Sequence, residues 1–101
     1  MNDDALLQHP IHLNQSLSHK LNRIYDQQHF MQEHQLSFNE LTRREKEIMT
    51  LVAQGFNNPM IAEKLFISRH TVEQHRKNLY RKLGISSFSE VFQYALAFDL
   101  I

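Results

Sequence analysis

Thr71-Val72-Glu73-Gln74-His75-Arg76-Lys77-Asn78-Leu79-Tyr80-Arg81-Lys82-Leu83-Gly84 carries two different faces on one predicted helix. Wound at about 100° per residue, Val72, Leu79 and Leu83 cluster on one side, flanked by His75 and Arg76. The opposite side collects His70, Glu73, Gln74, Lys77, Asn78 and Arg81. The apolar stripe requires a core to cover it. The polar side holds long donors and acceptors of the kind that read base edges or grip phosphate, so this helix is the candidate for entering a nucleic-acid groove.

The flanking residues read as short capped helices. Ser68 is placed to cap the helix at its start and Gly84 to stop it, which sets its span at about 68 to 83. Before it, Asn58 followed by Pro59 reads as a cap and a first helical residue, opening a helix that runs to about Leu65 with Ile61, Ala62 and Leu65 on one side. The short connector Phe66-Ile67 between the two makes a helix-turn-helix arrangement. Further back, Thr42 and Glu45 form a capping-box pattern ahead of Ile48, Met49, Val52 and Ala53, and Gly55 supplies a left-handed end, giving a helix at about 42 to 54. Ser87 and Glu90 repeat that pattern and open a last helix through about Phe98. Its Val91, Phe92, Tyr94, Ala95, Leu96, Ala97 and Phe98 occupy more of the circumference than one core-facing stripe requires. It reads either as the lid of a small domain or as a lid whose spare side is a dimer interface, with Val91, Phe92, Tyr94, Ala95 and Phe98 as candidates.

The first 40 residues are less specific. Leu13, Leu17, Leu21, Ile24 and Met31 follow i, i+4 and i+3 steps, which predicts an amphipathic helix over about 13 to 33. It could fold onto the rest, pair with a second copy, or be the tail of a linker. Charge divides the chain at the same place. Residues 1 to 40 carry two basic side chains against five acidic ones, whereas residues 42 to 85 carry nine basic against four acidic. The local basic excess is the electrostatic footprint of a polyanion partner, hidden by a formal net charge of zero.

Composition bounds the remainder. With 101 residues, two glycines, two prolines and no strand-like alternation, the chain reads as one small all-α domain with an extension, which rules out a large multi-domain enzyme. No cysteine is present for a disulfide framework or thiolate metal site, and no apolar run nears the roughly 20 residues of a membrane span. A cytoplasmic protein without a membrane role is the expectation. There is no nucleophile motif and no glycine-rich phosphate loop, so no catalytic residue is assigned. His9, His12, His19, His29 and His34 crowd the amino-terminal part without zinc-like spacing; no metal, cofactor or small-molecule site is assigned.

From Leu41 to Ile101 the sequence closely resembles the DNA-binding domain of LuxR-type (GerE or NarL/FixJ-type) bacterial transcription regulators. The resemblance rests on Leu41-Thr42-Arg43-Arg44-Glu45, Val52-Ala53-Gln54-Gly55, Ile61-Ala62-Glu63-Lys64-Leu65, Ile67-Ser68, Thr71-Val72-Glu73, His75-Arg76 and Arg81-Lys82-Leu83-Gly84-Ile85, in order and at family spacing. It implies a four-helix domain over 41–101, preceded by an extension or linker over 1–40, that binds double-stranded DNA with the helix at about 68–83 in the major groove and commonly dimerises through its last helix. The family's base-contacting positions fall on Glu73, Gln74 and Lys77. Asn58, Lys64, Ser68, Arg69, Thr71, Arg76, Asn78 and Arg81 would hold the DNA backbone.

Each of these residues also has a plainer reading. Lys77 could donate to guanine O6 or N7, touch phosphate, or be solvated; Gln74 could pair with adenine or be an ordinary exposed glutamine. Glu73 could accept from cytosine N4 or pair with Lys77 one turn on. The stem of Arg76 should cover the core while its head reaches for phosphate, and His75 should be a packed histidine. The expected function is a sequence-specific DNA-binding transcription regulator acting as a homodimer, through the last helix, with the amino-terminal one as a second candidate. The competing reading is an interaction module that forms heterodimers with a larger regulator. Residues 1–40 are too short for a receiver or ligand-binding domain, so the chain reads as a stand-alone effector or a carboxy-terminal piece.

Overall fold

Thr42, Asn57, Ser68 and Ser87 each begin a helix by accepting a backbone N–H with a side-chain oxygen. The computed structural model describes residues 15–101, and over them the chain is five helices: α1 (Gln15–Asn39), α2 (Arg43–Ala53), α3 (Asn58–Leu65), α4 (Arg69–Leu83) and α5 (Phe88–Ala97). The all-α architecture matches the expectation. Leu13, where the first predicted helix was to begin, lies outside the described residues, as do His9 and His12. The observed α1 runs six residues past the predicted end, to Asn39.

The box at α2 is reciprocal: Thr42 Oγ1 accepts from the Glu45 amide at 3.1 Å and Glu45 Oε1 accepts from the Thr42 amide at 2.8 Å. At α5 only half of the expected box forms. Ser87 Oγ accepts from the Glu90 amide at 3.3 Å, but the Glu90 carboxylate takes the Ser87 hydroxyl, at 2.8 Å, instead of a backbone amide. The cap of α3 also differs from expectation by one residue. Asn57 accepts from the Met60 amide at 3.0 Å, which leaves Asn58 as the first helical residue and Pro59 as the second. Proline is tolerated there because no amide of the first turn has a partner within the helix.

All four of α2 to α5 stop in the same way. Paired bonds such as Phe56 N–H to Leu51 O (3.1 Å) with Gly55 N–H to Val52 O (2.9 Å) define a Schellman end, repeated at residues 66–67, 84–85 and 99–100. The left-handed residue is glycine at 55 and 84 but Phe66 and Asp99, both at φ 56°, in the other two. A side chain in that region costs about 1 to 2 kcal/mol, and Phe66, 95% exposed, recovers none of it by packing.

The core is assembled from one stripe per helix. Ile48 and Met49 of α2, Ile61 of α3, Val72 and Leu79 of α4 and Val91 of α5 are fully buried, each contributing about 1.5 to 3 kcal/mol of apolar transfer. α2 lies against both α4 and α5, and α3 crosses α4. One ion pair enters this core. Glu45, only 2% exposed, receives the Lys82 ammonium at 2.7 Å. Burial pushes its carboxyl up, but Lys82 and the Thr42 amide and hydroxyl outweigh that and hold it below the usual carboxylate value.

The amino-terminal helix folds onto the remainder through a stripe other than the predicted one. Phe30, His34 and Phe38 meet α5: Phe30 lies edge-on to Tyr94 with centroids 4.8 Å apart, Phe38 stacks on Phe98 at 3.9 Å, and Tyr94 Oη and His34 Nδ1 are 3.2 Å apart. Burial and the Glu90 charge hold the Tyr94 phenol protonated, able to donate to that nitrogen. Leu21, Ile24 and Tyr25, further toward the amino end, remain on the surface.

Candidate nucleic-acid interface

The outward side of α4 is set by what its inward side buries. With Val72, Leu79 and Leu83 in the core, winding forces Glu73, Gln74, Lys77 and Arg81 into solvent, and all four are exposed. Arg69 and His70 extend this surface at the start of the helix. Arg69 and Arg81 are separated by twelve residues, or roughly 18 Å along the axis. A major groove is about 12 Å wide, so cations at that separation can reach phosphates on its two sides while the side chains between them face base edges.

Glu73 and Lys77, one turn apart, do not pair with each other; the ion pairs among the described residues join His29 to Glu33, Arg43 and Arg44 to Glu47, and Lys82 to Glu45. The restraining pair that the sequence allowed is therefore absent, and both charges point outward independently. Ser68 and Thr71 sit at the start of α4 with their hydroxyls 2.8 Å apart, Ser68 also accepting the Thr71 amide at 3.0 Å. Their side chains shape the helix end. Asn78 is half-buried on the flank, and so is His75, as its place beside the apolar stripe implied.

Two residues assigned to the DNA backbone have other partners. Arg76 Nη1 donates to Asn58 Oδ1 at 2.6 Å, and Nη2 donates to Tyr80 Oη at 2.9 Å. The sequence implied a guanidinium head free to reach phosphate; the fold instead uses it to fasten α4 to the first turn of α3. The bond spans 18 residues of sequence and crosses the turn of the helix-turn-helix, so it fixes the angle at which the polar face of α4 is presented. Lys64, the other α3 candidate, is exposed and lies with Nζ 4.4 Å from the Phe56 ring centroid. Lys82, counted in the basic excess, is turned inward to Glu45 and to the Glu40 carbonyl.

The dimerisation candidates on α5 are divided by the fold. Val91, Tyr94 and Ala95 are buried within the chain, and Phe98 is half-buried against Phe38. Phe92 alone of the five is exposed, and with Phe88 and Leu96 it forms the outer side of α5. The sequence could not separate these sides because it gave no sign that Phe30, His34 and Phe38 of α1 would cover part of the helix. No helix among the described residues is long and apolar enough to cross a membrane. Nor do the described residues bring three or more His, Asp or Glu side chains together to hold a metal ion.

Residues 39–95 match the family model described as bacterial regulatory proteins, luxR family. Among curated proteins, the chain is similar to the oxygen regulatory protein NreC of Staphylococcus aureus strains JH9, JH1 and Mu3. Identity with each is 47% over 64 residues, covering 63% of this chain and 30% of the relative. The matched part of the chain thus spans about a third of the length of these relatives.

Proposed function

The chain belongs to the luxR family of bacterial regulatory proteins, and from that membership we propose that it is a transcription regulator that binds double-stranded DNA in a sequence-specific manner in the cytoplasm. Residues 41–101 form the DNA-binding unit and residues 1–40 an extension of it. The observation that carries this reading is the outward face of α4, where Glu73, Gln74, Lys77 and Arg81 are exposed together and Arg69 lies at the other end. α4 enters the major groove, Gln74 and Lys77 address base edges, and Arg69 and Arg81 hold the strands on either side. Lys64 and Asn78 flank the same surface. Glu73 can accept from cytosine N4, and it repels phosphate where no cytosine is present, which disfavours loose binding. Arg76 and Asn58 act indirectly by holding the two helices at their crossing. Two copies bind a two-fold related site, using the outer side of α5 around Phe92.

Selection of bound duplexes from a random pool tests the proposal, and the expected product is a two-fold related motif. On that motif Lys77→Ala should cost about 1 to 3 kcal/mol and relax preference at one base position, while Arg81→Ala should weaken matched and scrambled duplexes equally. Recovery of no motif, or indifference of binding to both substitutions, overturns the assignment of α4.

A further inference from the structure

The amino-terminal half of α1 leaves an apolar stripe on the surface. Leu21, Ile24 and Tyr25 are 42%, 53% and 66% exposed. Along the helix the positions 21, 24, 28, 31, 35 and 38 alternate steps of three and four, a 3.5-residue repeat occupied by Leu21, Ile24, Gln28, Met31, Gln35 and Phe38. Its last member is spent within the chain, where Phe38 is buried against α5. Of the other positions, Leu21, Ile24 and Gln28 are exposed, and Met31 and Gln35 are half-buried.

We propose that this stripe of α1 is a self-association seam that pairs with α1 of a second copy in a short parallel coiled coil; the reading rests on the DNA-binding function proposed above. The repeat of 3.5 selects a helix as the partner. The flanking chemistry is compatible with an identical one. In a parallel, in-register pair the positions that face each other across the seam place Lys20 opposite Tyr25 and Gln27 opposite Gln32, so no like charges meet. Residues 15–39 hold Lys20 and Arg23 against Asp26 and Glu33, so two such helices carry no net repulsion. A polar residue within the seam, Gln28, finds its own copy across the axis, the arrangement that fixes register at some cost in stability.

The area sets the strength. The three exposed apolar side chains offer on the order of 300 Å² per copy, comparable to the largest apolar patch of an ordinary monomer. Two copies together fall well short of the roughly 1,200 Å² at which stable interfaces begin. The seam is therefore weak between free chains and closes when a two-fold DNA site brings two copies to millimolar effective concentration.

The chain has no cysteine, which makes cross-linking unambiguous. Gln28→Cys should oxidise to a covalent dimer on the selected two-site duplex, whereas Asp26→Cys, on the outer side of the same helix, should not. In parallel, the Leu21→Lys, Ile24→Lys double variant should lose about tenfold in affinity for the two-site duplex with unchanged affinity for a single half-site. Equal cross-linking at positions 26 and 28, none at 28 on a duplex that holds two copies, or equal loss on half-site and full site would overturn the seam. If selection recovers no duplex, the DNA-binding reading fails separately, and cross-linking of the two cysteine variants at millimolar protein then decides the seam alone.

Discussion

Replacing Lys82 with methionine keeps the aliphatic stem and removes the ammonium that neutralises Glu45. The carboxylate left behind is 2% exposed and retains the Thr42 amide, at 2.8 Å, and the Thr42 hydroxyl contact. Stranding one partner of a fully buried pair costs about 3 to 5 kcal/mol. Here the Lys82 side chain is 23% exposed, so water can enter where the ammonium was, and the expected loss at pH 7 is about 2 kcal/mol. For a domain of this size that lowers the melting temperature by roughly 8 to 16 °C. The sign of the pH dependence follows from the depressed carboxyl. Its contribution in the parent chain is present above the ordinary carboxylate value of 4.5 and disappears as pH falls through the lower folded value. In the variant, burial is opposed only by Thr42, so the carboxyl protonates more readily and the penalty relaxes in acid. Urea unfolding followed by circular dichroism at pH 7 and pH 4 should give a large difference between the two chains at pH 7 and a smaller one at pH 4. A difference below about 0.5 kcal/mol at pH 7 would place the pair among ordinary surface ion pairs and refute the reasoning. So would a difference that grows on acidification.

Three further outcomes follow from contacts described above. Arg76→Met should cost about 1 to 2 kcal/mol of stability by stranding polar atoms on Asn58 and Tyr80, and it should weaken every duplex, matched or scrambled, which chemical denaturation and fluorescence anisotropy would register together. Phe66→Asn should raise stability by about 0.5 to 1 kcal/mol, because asparagine tolerates the left-handed region and the exposed ring has no packing to lose; an unchanged or lower unfolding midpoint contradicts this. Tyr94→Phe should cost about 1 kcal/mol by removing the bond to His34, and the loss should vanish in a His34→Phe background if the two atoms interact only with each other, a double-mutant cycle measured by thermal unfolding.

The elements legible in the sequence were those encoded within four residues of themselves. Thr42 with Glu45, Ser68, Ser87, Gly55 and Gly84 punctuate the chain by local hydrogen bonds and backbone freedom, so both ends of α2 and α4 and the start of α5 followed from residue type. Asn57 and Asn58 are both competent caps, and Pro59 is acceptable at the first or second helical position, so residue type alone could not choose between them. The polar face of α4 was legible as well, since the stripe of Val72, Leu79 and Leu83 fixes which side chains point away from the core. What escaped were the partners that only the tertiary fold supplies. Glu45 and Lys82 lie 37 residues apart, Asn58 and Arg76 18, and His34 and Tyr94 60. Periodicity cannot reveal which cations are already engaged. The same limitation applied to α1, where the aliphatic stripe was conspicuous but the docking stripe, Phe30, His34 and Phe38, is interrupted by a residue that reads as polar.

The inward turn of Lys82 and the tether on Arg76 also change how many ions the molecule exchanges with its surroundings. Of the nine basic residues between 42 and 85, Arg43 and Arg44 lie beside Glu47, Lys46 over Phe38, Arg76 on Asn58 and Lys82 on Glu45. On the proposed DNA face, Arg69, Lys77 and Arg81, with Lys64, which stays exposed beside the Phe56 ring where Lys46 is half-buried over Phe38, would remain to displace condensed cations from a duplex. Each displaced monovalent cation adds about 0.9 to the slope of log affinity against log salt, which puts the slope near −3 to −4 per copy. The full basic tally would have implied about twice that. If the proposed face binds DNA, its response to base sequence should persist over a wide range of ionic strength, because less of the hold is indiscriminate.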